Sequence, residues 1–255
     1  MRWQKQPKEQ RSESMSRYFE NVTYPPQPTS LEELKGRLER IKGFTLGELA
    51  EALDLPCPHN STKAKGYAGE LVELLLGADA NNLPVPDFTR LGIELKTMPI
   101  DRNFEPLETT YLCHAPLTSV RGIDFYSSVL YSKVRLILFV FILAEREMAL
   151  AQRRIIDYYL FAPDESELAQ IKADYDELMD MVTEGQAQQI TARIGTMVQM
   201  RPKCADGRQV VPCVTADGSF GWTRPRGFYL RREVNQNICR RVAPRHQLPL
   251  ALTLS

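Results

Sequence analysis

The chain reads as a mixed α/β protein, and three features of its sequence say so. The run Leu136 to Ala144, LILFVFILA, is about half as long as a membrane span and suits a central strand buried on both faces. The segment Asp164 to Gln186 places Leu168, Ile171, Tyr175, Leu178 and Val182 at helical spacing, the mark of a long amphipathic helix. The stretch Pro86 to Lys96, PDFTRLGIELK, ends in residues that alternate apolar and charged with a period of two, the mark of a strand.

The elements follow in order. Residues 1–28 are polar, proline-terminated and without an apolar period, so a disordered arm is expected there. Ser30 with Glu33 and Thr45 with Glu48 have the spacing of two capping boxes, each opening a helix. A third helix is expected from Tyr67 to Leu76, stopped by Gly77. Strands are expected at 92–98, 109–115, 135–143 and 152–161, with a short helix near 126–134. After the long helix come two strand-like pieces, MVQMRPK and RGFYLRR, separated by a loop containing Gly, Pro and Asp. A short final helix closes the chain.

Composition narrows the class. With 255 residues, 43% hydrophobic and 25% charged, the chain can bury a substantial globular core. Five cysteines, Cys57, Cys113, Cys204, Cys213 and Cys239, form no CxxC pair and are odd in number, which points to reduced thiols in a cytoplasmic protein. His59, His114 and His246 have no zinc-ligand spacing. The first residues lack the hydrophobic core of an export signal, and no membrane association is expected. Net charge is zero but unevenly spread. Residues 145–184 hold eleven acidic and four basic side chains, whereas residues 193–246 hold eleven basic and three acidic ones. A basic C-terminal quarter suits a phosphate backbone as well as it suits a solvated face.

The chemistry concentrates in PDFTRLGIELK. Alternation along the strand sends Ile93 and Leu95 to one face and Glu94 and Lys96 to the other. Asp87, on the preceding turn, can fold back beside them. Two carboxylates at a strand end make a hard oxygen site suited to Mg²⁺. Lys96 adds a cation able to polarise a water beside a phosphate. A second ExK, at Glu33 to Lys35, lies in a helix, where residues two apart point away from each other. Read from the residues alone, Glu73 is a solvated helix glutamate that shares a face with Glu70.

The run KGYAGELVELLLGADANNLPVPDFTRLGIELKTMPID, the later PLETTYLCHAPL, LAQRR, DELMDM, ITAR, RPK and PRGFYLRR resemble the MutH family, the nicking endonucleases of methyl-directed mismatch repair. The resemblance covers roughly residues 30 to 246 in consistent order. It implies a restriction-endonuclease-like (PD-(D/E)xK) fold, a mixed sheet flanked by helices, with two lobes around a DNA-binding cleft. The expected catalytic lobe is 29–160 and the expected recognition lobe 161–255. It further implies Mg²⁺-dependent nicking of the unmethylated strand at hemimethylated GATC in double-stranded DNA, with MutL as activator and MutS acting upstream. On this resemblance Asp87 and Glu94 are metal-binding acids, Lys96 is the catalytic lysine, and Glu73 joins the acids of the active site. Lys133, in LYSKVR, matches a further active-site lysine. Arg201, Pro202, Lys203 and Tyr229 match the part that reads bases and grips phosphate, and Tyr111 stands where the family has an aromatic near the DNA. The loop DGRQVVPCVTADGSFG is only loosely similar. A monomer cutting one strand is expected. A GATC restriction endonuclease cutting both strands and a non-catalytic DNA-binding protein are the rival readings.

Overall fold

The computed structural model describes residue 19 and residues 22–58, 66–78, 83–118, 124–145, 147–204 and 208–246. Its helices are α1 (Leu31–Ile41), α2 (Leu46–Glu51), α3 (Tyr67–Leu76), α4 (Val129–Val134), α5 (Glu165–Thr183) and α6 (Arg232–Val242). Its strands are β1 (Glu94–Ile100), β2 (Thr110–His114), β3 (Ile137–Leu143), β4 (Arg154–Phe161), β5 (Val198–Pro202), β6 (Val211–Val214), β7 (Phe220–Thr223) and β8 (Arg226–Leu230). The architecture is mixed α/β.

The apolar run becomes β3, the middle of a sheet ordered β1-β3-β4. β1 lies parallel to it, from Glu94 opposite Ile137 to Ile100 opposite Leu143, and β4 lies antiparallel. β3 is buried on both faces. Leu138, Val140 and Ile142 join one core with α1, α2 and α3, and Ile137, Phe139 and Phe141 join another with α5 and α6. Each such side chain contributes about 1.5–3 kcal/mol relative to exposure, so β3 anchors the molecule.

A second sheet, ordered β2-β8-β5, turns one face to the latter core through Phe228, Leu230, Val198 and Met200. β2 pairs antiparallel with β8, so the expected division at residue 160 is crossed by a strand from before it. β6 and β7 form a separate hairpin where only a loop was expected. Its strands are four residues each and interrupted by Pro212 and Gly221, too short to show a period.

Thr45 and Glu48 form a full capping box. At α1 the Ser30 hydroxyl accepts from Glu33 N, but the Glu33 carboxylate accepts from Thr29 N instead of completing the box. α3 ends at Gly77 with φ +79°, as expected. The short helix near 126–134 is α4, preceded by a 3₁₀ turn at Phe125–Ser127.

Most of the expected N-terminal arm lies outside the described residues, as do His59 and Asp206. The described part does not fit a disordered segment. Phe19 is fully buried, with its ring 5.2 Å from that of Tyr67, and Val22 and Tyr24 pack against the same core. Scattered aromatics fastening onto a helix surface leave no period in the sequence, so this segment reads as polar while being held. Among the described residues no helix is long and apolar enough to cross a membrane.

Candidate active site

The start of β1 is shaped by the turn ahead of it. Phe88 and Ile93 bridge across that turn, with Phe88 N donating to Ile93 O at 2.9 Å, and Gly92 takes φ +65°. A Cβ at Gly92 would run into the Arg135 guanidinium. The turn folds Asp87 back on β1, where its Oδ2 accepts from Leu95 N at 2.8 Å.

Glu94 and Lys96 share one face of β1, and Ile93 and Leu95 enter the opposite core. Glu94 is completely buried, a costly position for a carboxylate without partners. It has two. Lys96 Nζ donates to Oε1 at 2.6 Å, and Lys133 Nζ, from the last turn of α4, reaches both oxygens at 2.9 Å. α4 is aimed by Ser128, whose hydroxyl caps Tyr131 N at 3.0 Å. Below Glu94, the same face of β1 becomes apolar at Met98 and Ile100, which closes the floor.

Glu73 reaches the cluster from α3 and is half-buried. Burial, reinforced by the charge of Asp87 and only partly offset by Lys96, pushes its carboxyl up to about 7. Asp87 is also raised, by burial and then by Glu94, against the pull of Lys96 and the Leu95 N–H. For Lys96, burial works downward, but Glu94 and Asp87 win and the ammonium is held above its ordinary value. Cys113, on β2 of the second sheet, also lines the cleft and is pushed up to about 12 by burial, so its thiol stays protonated and inert.

The opposite wall is the free face of β2-β8-β5. Tyr111 lies across from Tyr229, with ring centroids 5.3 Å apart. The Arg201 guanidinium sits 5.5 Å from the Tyr229 ring and its Nη1 donates to Thr109 Oγ1 at 3.0 Å. Lys203 Nζ sits 4.4 Å from the Tyr111 ring, a cation–π distance. Gly227 makes room for this, because a Cβ there would meet Tyr111 Cε2 at 2.6 Å. Pro202 has no N–H to donate and stands on β5, an edge strand. β5 is registered by Asp174, a buried acid of α5 that accepts from the N–H groups of Thr196, Met197 and Val198 at 2.6–2.9 Å.

All ten site residues expected from the sequence line one cleft of about 1260 Å³: Glu73, Asp87, Glu94, Lys96, Lys133, Tyr111, Arg201, Pro202, Lys203 and Tyr229. Tyr24, Glu70 and Arg232 line it too and were not foreseen. Glu70 alone left a signal, as the residue sharing a helix face with Glu73. Among the described residues no three His, Cys, Asp or Glu side chains stand as a ready-made metal cage.

A mixed α/β fold with an acid–lysine cluster across a cleft from a basic, aromatic sheet face is the layout of an enzyme for a phosphate-bearing substrate. Comparison with known proteins gives the family. Residues 76–174 match the family described as DNA mismatch repair enzyme MutH. The DNA mismatch repair protein MutH of Shewanella woodyi is 41% identical over 220 residues, covering 86% of this chain and 95% of that protein. That of Escherichia coli K12 is 41% identical over 214 residues, 84% and 93% of the two chains. That of Klebsiella pneumoniae strain 342 is 42% identical over 211 residues, 83% and 90%. The chain belongs to the MutH family.

Proposed function

We propose that the chain is a Mg²⁺-dependent DNA endonuclease of mismatch repair, which nicks the unmethylated strand at hemimethylated GATC sites. The observation that carries this reading is the meeting, across one cleft, of the acid–lysine cluster with the Arg201–Tyr229 and Lys203–Tyr111 pairs. The restriction-endonuclease-like fold and the two lobes belong to the same proposal.

The donor set fits a hard divalent cation. Glu73, Asp87 and Glu94 outnumber Lys96 and Lys133 by one charge when all are ionised. Asp87 Oδ1 and the Glu73 carboxyl accept no hydrogen bond from the described residues. Half-buried carboxylate oxygens open to the cleft, those of Asp87 and Glu73, are what Mg²⁺ takes up, and Asp87, Glu94 and Glu73 would hold it. When bound, the ion supplies positive charge at the scissile phosphate and an acidified water.

The chain's own groups do the rest. Lys96 stays cationic through neutral pH and faces the cleft, where it can donate to a phosphate oxygen or orient the attacking water. Lys133 holds Glu94 in place with both carboxylate oxygens engaged. Arg201, already fixed by Thr109 and Tyr229, has the fork geometry that pairs with guanine O6 and N7. Lys203 suits a phosphate as a point charge. The rings of Tyr111 and Tyr229 offer the apolar contact that sensing a methyl on adenine N6 requires. One cluster cuts one phosphodiester, which agrees with a monomer that nicks. Activation by MutL, with MutS acting upstream, completes the reading.

The test is strand-resolved cleavage of a hemimethylated GATC duplex with Mg²⁺, with and without MutL, beside fully methylated and unmethylated duplexes. Nicking of the unmethylated strand alone, stimulated by MutL, is expected. Double-strand cutting without MutL would make the chain a restriction endonuclease. Binding without cleavage in any divalent ion would leave a DNA-binding protein only.

A further inference from the structure

Gln27 precedes α1 and lies sixty residues before Asp87, yet its side chain ends at the turn that carries this acid. The residue is 8% exposed. Its Nε2 donates to the Asp87 carbonyl oxygen at 3.4 Å, and its Oε1 accepts from the Thr89 hydroxyl at 3.3 Å and from Arg90 N at 3.4 Å. A backbone carbonyl only accepts and a backbone N–H only donates, so one orientation of the amide serves both. Each contact is at the long end of the range and weak alone. Together they tie residues 87, 89 and 90 to one buried group.

The segment bearing Gln27 is itself fixed. Arg37 Nη1 donates to the carbonyls of Pro26 and Leu76, each at 2.8 Å. Gly77 approaches so closely that a Cβ would meet Pro26 O at 2.8 Å. Tyr24, three residues earlier, lines the cleft. Asp87 is thus held twice, through its carboxylate by Leu95 N and through its main chain by Gln27. A neutral amide does this without adding charge to a cluster of three acids and two lysines.

We propose that Gln27 is a positioning residue for Asp87 and thereby sets the affinity of the acid cluster for a divalent cation. This rests on the reading of Asp87, Glu94 and Glu73 as the metal-binding set. The experiment uses the full chain and Ca²⁺ as a probe, titrated by calorimetry, beside single-turnover nicking against Mg²⁺ concentration. Gln27→Ala is expected to weaken Ca²⁺ binding, and to raise the Mg²⁺ concentration for half-maximal nicking, by about fivefold to tenfold, the worth of about one hydrogen bond. The rate at saturating Mg²⁺ and the metal-free DNA affinity should stay within about twofold. Thr89→Val, at an exposed position that can be changed without risk to the core, should shift both titrations the same way by a smaller factor. Unchanged titrations in both variants would overturn the proposal, and so would a rate loss that saturating Mg²⁺ does not restore. A wild-type chain that binds Ca²⁺ but cuts no duplex, with that binding weakened in Gln27→Ala, would sink the nuclease reading and leave the positioning role standing.

Discussion

The two walls of the cleft handle charge in opposite ways. On the β1 side, Glu94 is completely buried and survives only because Lys96 and Lys133 both bind it. On the β8 side, Arg201 is exposed and rests on a tyrosine ring and a threonine hydroxyl, with no acid in contact among the described residues. The first wall is built for a fixed internal charge balance. The second holds Arg201 at the surface on neutral groups, where a partner can reach it. Changes on the first wall should register in stability as well as activity, whereas changes on the second should register in selectivity and leave the fold alone.

The largest effect is expected at Lys133. Lys133→Met removes one of two cations from a carboxylate with no access to water. An uncompensated buried charge costs about 3 kcal/mol or more. Urea denaturation at pH 8 should show that loss, and nicking should disappear with it. A Lys133→Met variant with wild-type stability would mean that Lys96 alone balances Glu94, and the contrast between the walls would fail.

Glu73 tests the same wall with the opposite sign. Its ordinary value is 4.5 and the folded value about 7. Between these limits the folded chain keeps a proton that the unfolded chain has released. Stability therefore falls as pH rises from about 4.5 to about 7, and the full cost persists above that. Glu73→Gln should be more stable than wild type at pH 8, by on the order of 1–3 kcal/mol, with the difference fading below pH 5. Its nicking at subsaturating Mg²⁺ should be impaired by about 10- to 100-fold at pH 8, with the gap to wild type narrowing below pH 7. For the wild type, nicking at subsaturating Mg²⁺ should fall as pH drops through about 7, because a protonated Glu73 cannot share a cation. Thermal unfolding with and without Ca²⁺ reads the same linkage: the ion should raise the wild-type Tm at pH 8 and raise that of Glu73→Gln much less.

These effects are visible in the sequence to different depths. β3 was legible because nine apolar residues in a row admit few readings, and β1 because charged and apolar residues alternate through GIELK. The convergence of Asp87, Glu94 and Lys96 was legible for the same reason, since period two places two of them on one face. Glu73 was not legible from its own helix, where Glu70 and Glu73 look like a solvated face; only the family resemblance marked it. Its burial comes from packing α3 against β1, a tertiary fact. Lys133 was hidden similarly, thirty-nine residues from Glu94 and joined to it by a parallel crossover. Asp174 looked like one acid among many on an acidic helix, and only the entry into β5 shows that it faces inward. The segment with Phe19 and Gln27 left no signal at all, because isolated contacts carry no period.

The smaller effects are expected on the β8 wall, proposed above to read DNA, where Arg201 and Lys203 would make two kinds of contact. Arg201→Lys keeps the charge and loses the planar fork, so discrimination at the contacted base pair should fall by about 1–3 kcal/mol in competition binding. Stability should not change, because the Thr109 hydroxyl left behind can bind water. Lys203→Gln should do less and do it differently. Nζ lies over the Tyr111 ring, and a side chain that contacts phosphate carries no sequence information. Affinity should then drop by a similar factor for cognate and non-cognate duplexes, and the slope of log affinity against log salt should become shallower by about one ion. A Lys203→Gln variant that loses discrimination while keeping its salt slope would move Lys203 from the backbone to the bases, and the reading wall would then carry two base-reading cations instead of one.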